Sequence, residues 1–154
     1  MRSLLLCLLG VSICYAAETP QKFLEISAIP TMNASAGATG TLKIPISVGK
    51  EYHVHSNPAA NRQYISTEVK FEATDKIAIG KASYPKGTPY RLKGSPTEIS
   101  VYSGRFEILV PVTISSDALK GKAELKGTLR FQACNDQICF FPKNLPFTVP
   151  VQVQ

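Results

Sequence analysis

Apolar and polar residues alternate along most of the chain with a period of two, which places successive side chains on opposite faces of a β-strand. No convincing helical period occurs after the first seventeen residues. The alternation predicts nine strands, at residues 24–29, 42–48, 51–55, 64–71, 77–84, 98–102, 105–114, 122–133 and 147–153.

Segments rich in Gly, Pro, Asn and Ser separate these strands at residues 33–40, 56–61, 84–96 and 115–121. Many short strands with such turns between them are typical of two packed antiparallel sheets. We therefore predict an all-β, immunoglobulin-like antiparallel β-sandwich, with a short helical turn near residues 116–119. The loop at residues 85–96 is long for a sandwich, and long loops often carry function.

The first seventeen residues follow a different pattern from the rest of the chain. Arg2 precedes an apolar run at residues 4–13, and the small residues Ala16 and Ala17 follow it. This order is typical of a cleaved secretory signal. We expect residues 1–17 to be removed, leaving one domain over residues 18–154. No later stretch approaches the ~20 apolar residues of a membrane helix, so we do not expect the mature protein to be embedded in a membrane.

Charge adds little to this interpretation. The whole chain carries a formal net charge of +6, and loss of Arg2 with the signal leaves +5. Lysine and arginine are interleaved with aspartate and glutamate, so no basic block indicates nucleic-acid binding. The mature length allows a hydrophobic core of ordinary size. We expect the protein to be a monomer.

Cysteine usage is more informative. Cys7 and Cys14 leave with the signal, so the mature protein keeps only Cys134 and Cys139, in the stretch FQACNDQICFFP. Export places them in an oxidising compartment, where a disulfide persists. Strand parity groups Cys134 with the polar face of residues 122–133. We therefore do not expect the inter-sheet bridge of an antibody-type domain.

The residues alone leave three interpretations of this pair open. A structural bridge is weak, because closing a loop of six residues stabilises by only about 2 kcal/mol. A metal site needs further ligands, and His53 and His55 share one polar strand face, but nothing in the sequence brings them to the cysteines. We therefore expect no metal at this pair.

The third interpretation is thiol–disulfide exchange at an exposed hairpin tip. No helix N-terminus is predicted to activate a thiolate here, and Asp136 within the loop disfavours one. We therefore expect exchange chiefly with a partner that supplies the attacking thiolate.

The stretch LRFQACNDQICFFP, preceded by VYSGRFEILVPVTI and by YHVHSNP, resembles the periplasmic N-terminal domain of the thiol-disulfide interchange protein DsbD. The similarity extends over roughly residues 22–153. It implies an immunoglobulin-like fold with one redox-active pair at the end of a hairpin. That pair would be Cys134 and Cys139, with Cys139 forming the mixed disulfide. The family covers its cysteines with a cap loop that carries an aromatic residue. The corresponding residues 90–98 here lack a clear Phe-Tyr pair, and Tyr90 and Leu92 are the candidates to replace it.

The resemblance also implies a function. The protein would be a periplasmic component of a protein-disulfide reductase, without metal or organic cofactor, that passes electrons to thioredoxin-like partners. Because the sequence ends at Gln154, we expect the electron donor to be a separate membrane thiol reductase. The alternative is a non-catalytic secreted β-sandwich interaction module whose disulfide only holds its hairpin.

Overall fold

The computed structural model describes residues 19–154. The signal peptide predicted at residues 1–17, including Cys7 and Cys14, lies outside this range. One turn of 3-10 helix at Pro20–Lys22 precedes the strands. Twelve strands are formed within the described residues: β1 (Leu24–Ile26), β2 (Met32–Ala34), β3 (Thr39–Val48), β4 (His53–His55), β5 (Glu68–Phe71), β6 (Ile77–Ile79), β7 (Thr88–Arg91), β8 (Glu98–Tyr102), β9 (Arg105–Ile114), β10 (Gly121–Phe131), β11 (Ala133–Cys134) and β12 (Lys143–Val153).

These strands form three four-stranded sheets. The first has the order β1-β3-β9-β6, the second β2-β12-β10-β5, and the third β11-β4-β8-β7. The pairings between the strands of residues 19–154 are antiparallel, with the exception of β2, which pairs in parallel with β12. No helix in this part of the chain is long and apolar enough to cross a membrane.

The main core lies between the first and second sheets, because both present the apolar side of an alternating pattern. In β9 every second residue from Ile108 to Ile114 is fully buried. The same cluster includes Leu125 and Leu129 of β10 and Val149 of β12. Alternation of this kind is what a sheet buried on one face requires. The all-β, immunoglobulin-like sandwich predicted from the pattern is confirmed.

Several predicted boundaries are wrong. The segment predicted as one strand at residues 122–133 is interrupted at Gln132, where the chain leaves the second sheet and enters the third. The segment 85–96, predicted as a loop, contains β7. Its residues are mostly exposed and include Pro89, so it lacks the alternation that identifies a half-buried strand. The helical turn predicted at residues 116–119 is a tight turn, closed by the Ala118 N–H donating to the Ser115 carbonyl at 3.1 Å.

The third sheet is covered on both faces. Val54, Tyr102 and Ala133 point into the main core. The opposite face carries a second, smaller cluster of Ile99, Val101 and Cys134. This second face holds the candidate functional site.

Candidate functional site

The two cysteines lie at the base of a four-residue turn. Cys134 ends β11, and Asn135 to Ile138 bring the chain back to Cys139, which forms an antiparallel bridge with Cys134. The Asn135 side-chain oxygen accepts hydrogen bonds from the backbone N–H groups of Gln137 at 2.9 Å and Ile138 at 2.8 Å. Asparagine favours turns because it makes such local bonds. The predicted hairpin at this position is confirmed.

Cys134 and Cys139 are joined by a disulfide, with their Cα atoms 3.9 Å apart. Cys134 is fully buried, whereas Cys139 is partly exposed. Ala133 and Cys134 lie on opposite faces of β11, as strand parity predicts, because Ala133 faces the main core and Cys134 does not. The expectation of an exposed polar face for Cys134 is wrong.

Residues distant in the sequence cover that face. Tyr64, Tyr90 and Leu92 pack against the small cluster that contains Cys134, together with Cys139. The region around Tyr90 is also tied to the hairpin, because the Lys93 N–H donates to the Asp136 carbonyl at 2.7 Å. Tyr90 and Leu92 therefore lie beside the pair. Their role as a cap is a proposal.

Both histidines lie on the face of Cys134, and both are buried. His53 is 6% exposed and His55 is 0% exposed, so the polar strand face that they share is not a solvent-exposed surface. The ring of His53 lies 3.8 Å from the Tyr90 ring between centroids. The ring of His55 stacks on Tyr64 at 4.4 Å, with an interplanar angle of 18°.

His55 brings a nitrogen to both sulfurs. Its Nε2 lies 3.5 Å from the Cys134 Sγ and 3.7 Å from the Cys139 Sγ. Disulfide sulfurs carry no hydrogen, so Nε2–H is the donor in these contacts. The His55 Nδ1 is buried and has no hydrogen-bond partner among the described residues. The sequence offers no signal for this convergence.

The histidines next to the disulfide are neutral at pH 7. Burial, and to a lesser extent the neighbouring His53, lowers the pKa of His55 to about 4. Burial also lowers the pKa of His53, although a backbone hydrogen bond at Asn135 and the charge of Asp136 oppose this shift. The sulfurs therefore face an uncharged imidazole, which donates one hydrogen bond from one nitrogen and accepts one at the other.

The outer side of the hairpin is apolar, a feature that was not predicted from the sequence. Ile138 is 55% exposed and Phe141 is 88% exposed. They line, with Cys139 and Phe140, a shallow depression of about 300 Å³. The run ICFF in a predicted loop could have indicated this apolar surface, because solvated loops seldom present several apolar side chains together.

The chain was compared with protein-family models, with curated protein sequences and with solved structures. The family model described as "Thiol:disulfide interchange protein DsbD, N-terminal" matches residues 20–150. The chain is similar to the solved N-terminal domain of Neisseria meningitidis DsbD in the reduced form, with 17% identity and a TM-score of 0.51, over 89% of this chain and 95% of that one. A comparison with curated protein sequences finds no match.

A second solved structure is the N-terminal periplasmic domain of ScsB from Proteus mirabilis. It shares 10% identity with a TM-score of 0.51, over 79% of this chain and 43% of that one. The chain thus spans less than half the length of the ScsB chain. At such identities, the likeness to both structures shows the fold.

Proposed function

The chain belongs to the family of DsbD N-terminal domains, and on this premise we propose that it is a periplasmic protein that relays electrons by thiol–disulfide exchange through Cys134 and Cys139. The donor in this proposal is a separate membrane thiol reductase, and the acceptors are thioredoxin-like proteins. The signal peptide predicted at residues 1–17 supports this location, because such a segment directs export. No organic cofactor is needed, because the disulfide itself carries two electrons.

The unequal burial of the two sulfurs carries the proposal. Cys134 is fully buried and Cys139 is partly exposed. An incoming thiolate attacks along the S–S axis, so it must reach the accessible sulfur and expel the other. Cys139 is therefore the sulfur that forms the mixed disulfide, and Cys134 is the leaving group.

Reduction of the protein proceeds in two balanced steps. A donor thiolate attacks the Cys139 Sγ, forming an intermolecular disulfide and breaking the bond to Cys134, which leaves as a thiolate and takes up a proton. The second thiol of the donor, once deprotonated, then attacks the donor sulfur of the mixed disulfide. This releases Cys139 as a thiolate, which also takes up a proton, and leaves the donor oxidised.

Delivery to an acceptor reverses this order. The Cys139 thiolate attacks the acceptor disulfide and expels one acceptor thiolate. Cys134, as a thiolate, then attacks the Cys139 Sγ, restores the internal disulfide and releases the second acceptor thiolate. Two electrons and two protons pass to the acceptor.

The position of His55 favours both reduction of the pair and its reoxidation by an acceptor. Its Nε2–H faces the Cys134 Sγ at 3.5 Å, where the leaving thiolate develops in a dry environment. Hydrogen bonds to charged groups are stronger than those between neutral groups. A neutral imidazole therefore favours release of Cys134 without adding a charge that would fix the pair in its reduced form.

The surroundings of Cys139 fit a macromolecular partner. Ile138 and Phe141 present apolar surface next to the attacked sulfur, and apolar anchors of this kind are favoured at protein interfaces. On the inner side, Tyr90 and Leu92 pack against the same cluster as the pair. We assign to these two residues a cap that restricts access by small thiols.

Trapping tests the proposal directly. Cys134→Ser leaves Cys139 able to form a mixed disulfide that no internal thiol resolves, so this variant should accumulate covalent complexes with thioredoxin-like proteins. Cys139→Ser is the matched control, since it leaves only the buried sulfur. Failure of Cys134→Ser to trap any such partner would support the interaction module with an inert bridge.

A further inference from the structure

We propose that the reduced form of this protein binds a thiophilic d10 cation, with Zn²⁺ as the representative, through the thiolates of Cys134 and Cys139 and the Nε2 of His55. The three ligand atoms lie within 4.8 Å of one another. Two thiolates and an imidazole are a donor set that soft and borderline cations prefer.

The nitrogen–sulfur distances already match a coordination shell. With Zn–S near 2.3 Å and Zn–N near 2.0–2.1 Å, a tetrahedral angle separates nitrogen from sulfur by about 3.6 Å. The observed distances from His55 Nε2 are 3.5 Å to Cys134 and 3.7 Å to Cys139. The imidazole is therefore placed for this shell before any metal arrives.

The sulfur–sulfur distance is the one that must change. The same geometry separates two zinc-bound sulfurs by about 3.8 Å, whereas the disulfide holds them at 2.04 Å. Breaking the bond removes this restraint, and Cys139 lies at the partly exposed end of the hairpin where it can move outward. Reduction thus creates the site, and oxidation destroys it.

The chemistry of binding balances. A dithiol reductant supplies two electrons and two protons to the disulfide and becomes a disulfide itself. Zn²⁺ then displaces the two thiol protons. The neutral His55 ring changes tautomer, so that its hydrogen moves from Nε2 to Nδ1, which has no other partner among the described residues. The Nε2 lone pair is then free to bind Zn²⁺.

The second histidine of the strand does not belong to the site. His53 lies on the same face as His55, but in the described part of the chain the ligand atoms that converge are those of His55, Cys134 and Cys139. Its ring instead contacts Tyr90. Three protein ligands leave one coordination position open, as in sites where zinc keeps a water or an exogenous ligand.

Metal binding and exchange exclude each other at this pair. A thiolate bound to Zn²⁺ is a poorer nucleophile, and a disulfide offers no thiolate to the metal. The inference depends on the proposed function only in requiring that the pair can be reduced. It adds a regulatory consequence, since bound Zn²⁺ would hold the protein in its reduced form and prevent thiol–disulfide exchange.

The test measures binding without any partner protein. The chain is reduced chemically, freed of reductant under anaerobic conditions and titrated with Zn²⁺, with Co²⁺ as a spectroscopic probe. We expect one Zn²⁺ per reduced chain, a thiolate-to-Co²⁺ charge-transfer band, and no such band in the oxidised chain. The oxidised wild type is the first control, and it requires no mutation.

A matched pair of variants tests the role of the imidazole. His55→Phe keeps the aromatic ring against Tyr64 but removes Nε2, and should weaken Zn²⁺ binding by about tenfold or more, since even second-shell losses cost about 10- to 100-fold. His53→Phe should bind as the wild type does. Equal binding by the oxidised chain, equal binding by His55→Phe, or no binding by the reduced chain would each overturn the proposal. Exchange activity could survive every one of these results, so the two proposals fail separately.

Discussion

The Nε2 atom of His55 lies 3.5 Å from the Sγ atom of Cys134, although the two residues are 79 positions apart in the sequence. The contact exists because β4 and β11 pair in the third sheet, with Cys134 opposite His53. His55, two residues along the same face, then reaches the disulfide diagonally. A neutral hydrogen-bond donor is thereby held beside the sulfur that must leave during exchange.

This contact predicts that His55→Phe slows exchange. The substitution removes the hydrogen bond to the leaving thiolate and keeps an aromatic ring on Tyr64. Hydrogen bonds to charged groups contribute about 1.5–3 kcal/mol, so we expect reduction by a dithiol to slow by about tenfold or more. Stopped-flow or quenched-flow measurement of the reduction rate checks this. His53→Phe is the control, and equal slowing in both variants would show a general packing effect instead.

The buried His55 also predicts a pH-dependent stability. Its pKa is lowered to about 4 in the folded protein, whereas an unfolded histidine has a pKa near 6.5. Between these values the unfolded chain binds the proton more tightly, so stability is complete above about pH 6.5 and falls as the pH decreases towards 4. The loss at pH 4 is about 3 kcal/mol.

Other groups titrate in acid, so the measurement compares two proteins. Urea unfolding of wild type and His55→Phe across pH 7 to 4 should show a free energy of unfolding that decreases more steeply for the wild type. Parallel curves would mean that His55 is not buried in its neutral form.

The short loop predicts that the disulfide contributes little stability. Six residues lie in the closed ring, so reduction should lower the free energy of unfolding by about 2 kcal/mol or less. Chemical denaturation of the oxidised and reduced forms measures the difference. A chain that unfolds when it is reduced would identify the bridge as a structural necessity and count against a relay.

Tyr90 and Leu92 provide a test of the cap. Both pack against the cluster that holds Cys134, so Tyr90→Ala and Leu92→Ala should raise the rate of reduction by a small thiol several-fold. Leu119→Ala changes a leucine that is 89% exposed and lies outside the cluster, and it serves as the control. Unchanged rates in both cap variants would remove the assigned role.

Phe141 and Ile138 provide a test of the partner surface. Replacing either by alanine should weaken the encounter with a thioredoxin-like protein by about 1 kcal/mol or more if the side chain is an anchor. Reduction by a small dithiol should be unaffected, because the sulfurs and His55 are unchanged. Comparing the two rates in the same variants separates docking from chemistry, and a parallel loss in both would contradict the assignment.

Local patterns were sufficient for the fold and for the position of the hairpin. The strands Glu98–Tyr102 and Arg105–Ile114 have the predicted bounds because each alternates cleanly and ends at a turn. Burial of Cys134 could not be predicted, since the side chains that cover it come from distant segments. Tyr64 lies before β5, in residues that the alternation predicted as part of a strand but that form irregular chain, and Tyr90 lies in an edge strand without strong periodicity.

The reduction potential of the Cys134–Cys139 pair tests the central claim most directly. Equilibration of the protein with glutathione or dithiothreitol buffers, followed by thiol alkylation, measures it without a partner. A relay requires a value in the range of known exchange proteins, about −270 to −120 mV. A value below about −300 mV would mark the bridge as an inert structural disulfide and contradict the relay.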